Sequence, residues 1–300
     1  MLITDNQVSV LAEQQRLHHA SAFRQRLEDG SASIWLDSNN GDYWGNSLVL
    51  ESLAAPLATL ERRNVLTLGD GKGGKEAVFF RNCGHSATAT DICDDVLAEA
   101  YRLGLIEAYA SADAENLAFD DAAFDLVATK ETLHHLPRPY LALHEMLRVA
   151  KEGVILIEPH YRPPDPDRVG ILGCLRRTIT RLSGHRSPPF MPPAEYEESG
   201  NFVFRFNPYE LTQIARSMGM DAVAFAFAHH YFESGCATIT GDKLRRLKDA
   251  KRQEFAAADR LNGVESRPML IALLWKRKFP PHFAAALTTA GFNIYLLDRS

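Results

Sequence analysis

The stretch "NVLTLGDGKGGKEAVFF", residues 64–80, decides how the rest of the chain is interpreted. Four glycines stand between a short apolar run and a segment with helical spacing. Glycine lets a backbone adopt left-handed turns and come close to a bound ligand. The stretch therefore predicts a strand, a ligand-binding loop and a helix, in that order.

Two general glycine motifs fit this loop. Gly69, Gly71 and Gly74 form the GxGxxG of dinucleotide-binding proteins, and Gly69, Gly74 and Lys75 form the GxxxxGK of a P-loop. A P-loop lysine precedes a Ser or Thr that binds Mg²⁺, whereas Glu76 follows here and its carboxylate would repel phosphates. The dinucleotide interpretation stays open, since an acid follows at a strand end, about 20 residues on, where ribose hydroxyls would bind.

Composition limits the class of protein. The 300 residues are 46% hydrophobic, which suits one large or two small globular domains, and the net charge of −5 gives no reason to expect nucleic acid as a partner. The four cysteines contain no CxxC pair and suit free thiols in a reducing compartment. The first residues are too polar for a signal peptide, and no apolar run reaches the ~18–20 residues of a membrane span. We predict a cytoplasmic location.

Strands alternate with helices from residue 64 onward, which predicts βαβ units and a parallel sheet. The fold class is therefore α/β, a doubly wound, mostly parallel, Rossmann-like sheet of seven strands, and the C-terminal tail offers a further edge strand at 292–298. The predicted strands lie at 64–68, 86–92, within 106–119, and at 124–131, 153–161, 221–232 and 268–277.

Three segments define the predicted domain organisation. Residues 1–62 form an N-terminal helical cap with helices at 6–29 and 46–62, the second broken or kinked at Pro56. Residues 63–300 form the main domain. A Pro/Arg-rich cap at 160–206 is inserted after the fifth strand. Tyr43 and Trp44 either close over a ligand or pack in the core.

The inserted cap contains a basic amphipathic segment with three open interpretations. It suits binding of a phosphate or pyrophosphate, contact with an anionic membrane surface, or an ordinary solvated face over an apolar stripe. Its arginines are Arg162, Arg168, Arg176, Arg177, Arg181 and Arg186.

The segment "SADAENLAFDDAAFDLVATKETLHHLPRPYLALHEMLRVAKEGVILIEP", residues 111–159, resembles class I S-adenosyl-L-methionine (SAM) methyltransferases. The resemblance is to the methyltransferase type 11 group, which includes ubiquinone and menaquinone methyltransferases, and it extends over 64–159, where the glycine loop resembles "VLDLGCGxG". It implies a Rossmann-like methyltransferase sheet with SAM as cofactor. A looser resemblance, in residues 195–215, is to methyltransferase-like proteins of bacterial surface-polysaccharide clusters.

The resemblance also implies roles for individual positions. The glycines would form the turn under the ribose and methionine, Asp91 would bind both ribose hydroxyls, Asp113 the adenine amine, and Lys130 the methionine end beside Glu131. The implied cofactor-binding residues are Gly69, Asp70, Gly71, Gly73, Asp91, Ile92, Asp113, Ala114 and Lys130.

One departure from the family affects the methionine end. The family usually has an acid, which helps to hold the SAM ammonium, where this chain has Thr67; Asp70 is a candidate replacement. Lys72 and Lys75, at a helix start, oppose the helix dipole. They serve the SAM carboxylate or an acidic substrate, or else they are merely solvated.

Methyl transfer is an in-line displacement, and a hydroxyl acceptor also needs a base. The candidate catalytic residues are His134, His135, His160 and Glu131, all at the carboxyl edge of the predicted sheet. The alternative role for His134 and His135 is positioning or packing. The alternative role for His160 and Glu158 is to anchor the loop beside the inserted cap. A structural role is favoured for His229 and His230, and no ligand spacing predicts a metal.

The predicted function is SAM-dependent methylation of a small or oligomeric soluble acceptor, with O-methylation favoured. A sugar or glycan intermediate, which could bear a phosphate, is the first candidate acceptor, and a quinone-like or other small metabolite is the alternative. A non-catalytic SAM-fold partner protein is a further alternative, motivated by Thr67. The sequence leaves the oligomeric state undetermined.

Overall fold

The sheet contains eight strands. The computed structural model describes residues 23–30, 32–160 and 202–297, together with the isolated positions 13, 17, 20, 21 and 196. The spatial order is β3-β2-β1-β4-β5-β7-β6-β8, in which β7 and β8 run against the other strands. The strands are β1 Asn64–Leu68, β2 Ser86–Asp91, β3 Ala108–Ser111, β4 Phe124–Lys130, β5 Ala150–Pro159, β6 Ala222–Ala228, β7 Met269–Trp275 and β8 Asn293–Leu296.

The predicted fold class is confirmed, but the number of strands was one too low. The tail strand β8 pairs antiparallel with β6 and makes the eighth strand. Helices cover both faces of the sheet, so the fold is doubly wound. They are α1 Ser33–Leu36, α2 Gly41–Leu48, α3 Glu51–Leu57, α4 Lys75–Asn82, α5 Asp95–Arg102, α6 Pro139–Val149, α7 Pro208–Ser217, α8 Gly241–Asn262 and α9 Pro281–Thr289, and residues 23–28 are also helical.

Alternate strand residues pack into two separate hydrophobic cores. Val65 and Ile155 lie in the core that α3, α4, α5 and α9 cover, whereas Leu66 and Leu156 lie in the core under α6 and α7. All four side chains are almost fully buried. Burial on both faces explains why these strands read as continuous apolar runs rather than as alternating ones.

The order of strands reverses at β1, which lies between β2 and β4. Leu68 of β1 pairs with Thr90 of β2 and with Thr129 of β4, so three strands end at the same level. Ligands bind at such a switch point, in the crevice outside the carboxyl ends of the strands. The loops after β1, β2 and β4 therefore meet where a ligand is expected.

The N-terminal part differs from its prediction. The helix predicted at 46–62 begins earlier, at Gly41, because the Oδ1 atom of Asn40 accepts a hydrogen bond from Tyr43 N (2.8 Å) and caps α2. The helix is interrupted between α2 and α3, and Pro56 lies within α3 rather than at this interruption. Trp44 is buried against Tyr231, with ring centroids 5.4 Å apart, so it packs in a core.

Several predicted features lie outside the described residues. These are most of the helix at 6–29 and almost all of the inserted cap at 160–206, including the six arginines named above. In the described part of the chain, no helix combines the length and the apolar character needed to cross a bilayer.

We expect Asn40→Ala to lower the free energy of unfolding by about 2–3 kcal/mol. Asn40 is 1% exposed, and besides capping α2 its Nδ2 donates to the carbonyl oxygens of Ile34 (2.8 Å) and Asp37 (2.9 Å). The matched control is Asn207→Ala, because Asn207 caps α7 through Glu210 N alone and should cost about 1 kcal/mol. Urea unfolding of both variants checks this; equal losses would contradict it.

Candidate active site

Two adjoining cavities open at the carboxyl edge of the sheet. The first has a volume of about 200 Å³, and the second of about 420 Å³. They share Gly69, Lys72, Glu131 and His135, which therefore form the wall between them. The other lining residues of the first cavity are Phe23, Asp91, Ile92, Ala112, Asp113, Ala114, Glu115, Thr132, Leu136 and Pro137, and those of the second are Asp42, Asn46, Lys75, Glu76, Lys130, His230 and Phe232.

The three predicted loop glycines have three different roles. Gly69 lines both cavities with a φ of +72°, and a Cβ atom there would lie 2.0 Å from the Oγ1 atom of Thr132. Gly71 donates its backbone N–H to Asp91 Oδ2 (3.1 Å). Gly73 packs on Leu36, outside both linings. One glycine thus touches the ligand space, and the other two shape the loop around it.

Asp91 ends β2 and faces the first cavity. Besides the bond from Gly71, its Oδ1 atom accepts from Cys93 N (2.9 Å). Burial raises the pKa of this carboxyl to about 6, although the backbone donors oppose the shift. The backbone of Ile92 is a third donor to this carboxyl. An ionised carboxylate has about four acceptor positions, so acceptor capacity stays available for a ligand.

The predicted residues Ile92, Asp113 and Ala114 line the same cavity as Asp91. Asp113 Oδ1 accepts from Glu115 N (2.9 Å), which holds the loop after β3 in place. The structure therefore brings together the positions that the family resemblance assigned to ribose and adenine.

Asp70 lies outside the described lining of both cavities. It is 1% exposed, and its carboxyl accepts from the Thr67 hydroxyl (2.8 Å) and from Ala77 N (2.9 Å). Burial and the carboxylate of Glu76 raise the pKa of Asp70. This carboxyl links the end of β1 to the start of α4. It therefore cannot contact an ammonium in either cavity.

Lys130 is a buried ammonium, 7% exposed, at the end of β4. Its Nζ atom lies 2.6 Å from Glu131 Oε2, 3.3 Å from Asn46 Oδ1 and 3.8 Å from Glu76 Oε1. Burial disfavours the charge of Lys130, but the two carboxylates overcome this effect and raise its pKa. The position predicted for the methionine end is therefore occupied by an ion cluster, which lines the second cavity.

Glu131 holds the predicted position beside Lys130 in a strained conformation. Its φ is +50°, in the left-handed region that residues with a side chain rarely adopt. Burial would raise its pKa, but Lys130 and His230 outweigh this and hold the pKa at about 2. The Glu131 carboxylate is therefore ionised at neutral pH.

The two lysines of the glycine loop differ in their partners. Lys75 is 5% exposed, forms an ion pair with Asp42 (3.0 Å), and lies over the ring of Tyr43. Lys72 has an exposed side chain and lines both cavities. Within the described residues, Lys72 forms no ion pair and no side-chain hydrogen bond.

Of the predicted catalytic histidines, the structure places His135 at the wall between the cavities. His134 is buried outside them, with its Nδ1 atom 2.7 Å from Glu158 Oε2. His160 also lies outside the linings, where its Nε2 atom is 3.2 Å from the carbonyl oxygen of Arg267. His135 and Glu131 are thus the two predicted catalytic residues that face the cavities.

His230 was expected to be structural but lines the second cavity. Its Nε2 atom lies 3.5 Å from Glu131 Oε1, and burial lowers its pKa against the opposing charge of Glu131. The adjacent His229 is structural, because it bonds to Asp259 (2.9 Å) and stacks on Phe255. The sequence could not distinguish the two roles, because His229 and His230 are adjacent at the same strand end.

The sequence did not predict the cavity-lining residues that lie on the N-terminal helices. Asp42 and Asn46 lie on α2, and Phe23 lies in the helical segment before it. The one available signal was the polar spacing of Asp42 and Asn46, one helical turn apart. Among the described residues no group of three His, Cys, Asp or Glu side chains is arranged to hold a metal.

Comparison with known proteins identifies the class of domain. Residues 66–157 match the family model described as "Methyltransferase domain". The ubiquinone biosynthesis O-methyltransferase of Alkalilimnicola ehrlichii is 34% identical over 134 residues, 42% of this chain and 53% of that protein. The 2-methyl-6-phytyl-1,4-hydroquinone methyltransferase of Synechocystis sp. is 31% identical over 108 residues, 35% of this chain and 34% of that protein.

A solved structure extends the likeness of fold over most of the chain. The 1,6-didemethyltoxoflavin-N1-methyltransferase of Burkholderia thailandensis is 15% identical and superposes with a TM-score of 0.51, covering 93% of this chain and 92% of that one. It was solved with 1,6-didemethyltoxoflavin and S-adenosylhomocysteine. Residues 66–157 therefore match a methyltransferase domain, and the chain around them has the Rossmann-like methyltransferase fold that the sequence predicted.

The curated relatives match only in part. The chain spans between about a third and a half of the length of the curated relatives named above. The looser resemblance to proteins of surface-polysaccharide clusters gains no support from these comparisons.

We expect Gly69→Ala to destabilise the protein by about 2–4 kcal/mol, because it adds a clash with Thr132 to the cost of a left-handed alanine. The matched control is Gly104→Ala, whose φ of +71° is nearly identical but whose Cβ atom would meet nothing within 4 Å. The control should lose about 1 kcal/mol. Urea denaturation compares the two, and a loss at Gly69 no larger than that at Gly104 would contradict the prediction.

Proposed function

We propose that this protein is a SAM-dependent methyltransferase that binds the adenosine of SAM in the first cavity and a small hydroxylated acceptor in the second. The observation that carries the proposal is the meeting of the two cavities at Gly69 and Glu131, at the switch point of a methyltransferase fold. Asp91, one strand away, faces the first cavity.

The lining of the first cavity suits an adenosine. The acceptor capacity that Asp91 keeps beyond its backbone bonds suits the ribose hydroxyls, since a carboxylate oxygen can accept from more than one donor. Ile92, Phe23 and Leu136 supply apolar surface for a purine ring, and Asp113 is an acceptor for its exocyclic amine.

Bound SAM supplies an electrophilic methyl group on a sulfonium sulfur. The task of this chain is to hold donor and acceptor in line, to exclude water and to remove the acceptor's proton. We assign the base to His230. Of the two cavities it lines only the second, where the acceptor is placed, and its lowered pKa keeps the ring neutral at pH 7. With its Nε2–H directed to Glu131 Oε1, the Nδ1 atom is the proton acceptor.

The acceptor proposed here is a phenol or quinol, methylated on oxygen. The names of the two curated relatives, a ubiquinone biosynthesis O-methyltransferase and a hydroquinone methyltransferase, favour a phenol or quinol over a glycan. Phe232, at the second cavity and 72% exposed, offers an aromatic face to such a ring.

We also propose that residues 1–62 act as a cap over the domain that follows. Phe23 contributes to the first cavity, and Asp42 and Asn46 contribute to the second, so the cap helps to enclose both ligands. The inserted cap at 160–206, the cytoplasmic location and the absence of a nucleic-acid partner stay predictions.

Calorimetric titration with SAM tests the proposal. The wild-type protein should bind SAM and S-adenosylhomocysteine, and Asp91→Asn should weaken both by about 1–3 kcal/mol, the cost of losing charge-assisted hydrogen bonds. Because the pKa of Asp91 is about 6, wild-type affinity should fall roughly tenfold between pH 7 and pH 5 as the carboxylate takes up a proton. The α-amino group of the ligand stays charged over this range.

The Asp91→Asn variant is also the control for the pH effect, since it removes the titrating group and should flatten the profile. Binding of NAD in place of SAM would support the dinucleotide alternative. A folded protein that binds neither SAM nor S-adenosylhomocysteine at millimolar concentration would support the non-catalytic alternative and refute the proposal.

We expect His230→Gln to lower kcat by about 10²–10⁴-fold, because the acceptor then has no base, while the dissociation constant of SAM stays the same. Transfer from radiolabelled SAM to a panel of phenols and quinols measures this. His229→Gln is the matched control, since His229 contacts Asp259 and Phe255 instead of the cavity. Equal activity of His230→Gln and wild type would remove His230 from the mechanism.

A further inference from the structure

Two distant parts of the chain share the lining of the second cavity. The first is the chain between β6 and β7, residues 229–268, named here the β6–β7 segment; it contains α8 and contributes His230 and Phe232. The second is helix α2, which contributes Asp42 and Asn46 from positions one turn apart. The acceptor space therefore depends on how these two parts are placed relative to each other.

Helix α2 approaches the β6–β7 segment at backbone distance. Gly41 and Gly45 lie one turn apart, on the same face of α2. A Cβ atom at Gly45 would lie 2.2 Å from the carbonyl oxygen of Tyr231, and one at Gly41 would lie 2.6 Å from that of Cys236. Both clashes are with backbone atoms, which cannot turn aside as the end of a flexible side chain can. The close approach therefore requires glycine at both positions.

A small apolar cluster and a backbone hydrogen bond accompany this approach. Trp44 of α2 packs on Tyr231 of the segment, with ring centroids 5.4 Å apart, and Leu244 is buried beside them. All members of the cluster lie on α2 or in the β6–β7 segment, apart from the two cores of the sheet. Gly41 N also donates to the carbonyl oxygen of Ile239 (3.0 Å). The packing within this cluster thus sets the separation of the two parts.

Polar groups join the two parts to the rest of the cavity. The contacts are Asp42 with Lys75 (3.0 Å), Asn46 with Lys130 (3.3 Å) and His230 with Glu131 (3.5 Å). The apolar contact therefore belongs to α2 and the β6–β7 segment alone, and the two together form one cover over the second cavity.

The glycine contact lies directly beside the lining on both sides. Gly45 precedes the lining residue Asn46, and Tyr231 stands between His230 and Phe232 in the chain. A shift of α2 away from Tyr231 would therefore widen the space between these lining side chains without altering any of them. The first cavity would keep its shape, since its described lining contains no residue of α2 or of the segment.

The charges that line the second cavity are balanced. Three carboxylates stand beside three ammonium groups, those of Asp42, Glu76 and Glu131 and those of Lys72, Lys75 and Lys130. An acceptor with a net charge would disturb this balance in a mostly buried place, which is costly. The lining therefore suits an uncharged acceptor.

We propose that Gly41 and Gly45 are positioning residues for the acceptor: by holding α2 against the β6–β7 segment as one cover, they restrict the second cavity to a small, uncharged, hydroxylated ring. The inference rests on the proposed function and extends it, because it names the element that selects among acceptors. Neither glycine touches the acceptor; each acts through the lining residues that follow it.

Hydrogen exchange of the ligand-free protein tests the coupling of the two parts. Gly45→Ala should push α2 and Tyr231 apart by about 1 Å, because ordinary contacts of a Cβ atom begin at 3.4 Å. The amides of both α2 and the β6–β7 segment should then exchange about tenfold faster, while those of β1 and β4 keep the wild-type rate. Faster exchange in only one of the two parts, or in neither, would overturn the single cover.

Trp44→Phe is the second variant, since it loosens the same cluster without adding a clash and folds even if Gly45→Ala does not. It should give the same pattern of exchange, about threefold faster in both parts. The matched control is Ser47→Ala, because the Ser47 hydroxyl bonds within α2, to the carbonyl oxygen of Tyr43 (2.7 Å). The control should leave exchange in the β6–β7 segment unchanged.

Steady-state kinetics test the selection of acceptors. With methylhydroquinone, Gly45→Ala and Trp44→Phe should raise KM about fivefold and change kcat by less than about threefold, since the loss is one of positioning. The ratio of kcat/KM for tert-butylhydroquinone to that for methylhydroquinone should rise about fivefold, because the wider space admits the bulkier ring. The dissociation constant of S-adenosylhomocysteine should stay at the wild-type value.

The charge of the acceptor is tested in the wild-type protein. The anionic phenol 4-hydroxybenzoate should have a kcat/KM about tenfold below that of methylhydroquinone, because it brings a carboxylate into a balanced lining. Equal or faster methylation of 4-hydroxybenzoate would overturn the assignment of an uncharged acceptor.

The outcomes separate this inference from the proposed function. If both variants keep the wild-type ratio for the two hydroquinones, the selective role of the glycines is overturned while the methyltransferase assignment stands. If the wild type binds S-adenosylhomocysteine but methylates no phenol or quinol, the proposed acceptor class fails, and the selection of a hydroxylated ring fails with it. The exchange measurement still decides whether α2 and the β6–β7 segment form one cover.

Discussion

The site depends on the ion pairs and the hydrogen bond of the buried Lys130 ammonium. An unpaired charge in a protein interior costs several kcal/mol, so the fold must bring partners to it. These partners come from three elements: Glu131 follows β4, Glu76 lies on α4 and Asn46 lies on α2. One charge therefore fixes the loop after β4, helix α4 and helix α2 relative to one another.

A second buried group, Asp70, explains how the glycine loop keeps its shape. It accepts hydrogen bonds from Thr67 and from the first turn of α4, so it satisfies backbone donors that the helix start would otherwise leave unpaired. A carboxyl used in this way cannot also bind a ligand. The acidic side chain that lines both cavities is instead Glu131, which follows β4.

The histidines show that a residue at the end of a strand does not necessarily face a cavity. His134, His160, His229 and His230 all follow strand ends, yet only His230 of these four lines one of the two described cavities. His134 instead bonds to Glu158, which in turn accepts the backbone N–H groups of Thr132 and Leu133. That arrangement supports the loop that carries Glu131 and His135, so a residue outside the site still determines its geometry.

The sequence by itself determined the doubly wound sheet, the glycine loop between β1 and α4 and the place of Asp91 at the end of β2, because these depend on local spacing and on apolar runs that mark buried strands. It did not determine the pairing of β8 with β6 or the contributions of Asp42 and Asn46, which join segments far apart along the chain. Nor could it show that Asp70 is buried while Lys72 faces both cavities, although only Gly71 separates them. Only tertiary packing decides which of two neighbouring charges is buried and paired and which stays available to a ligand, because that choice depends on what the rest of the fold brings beside each one.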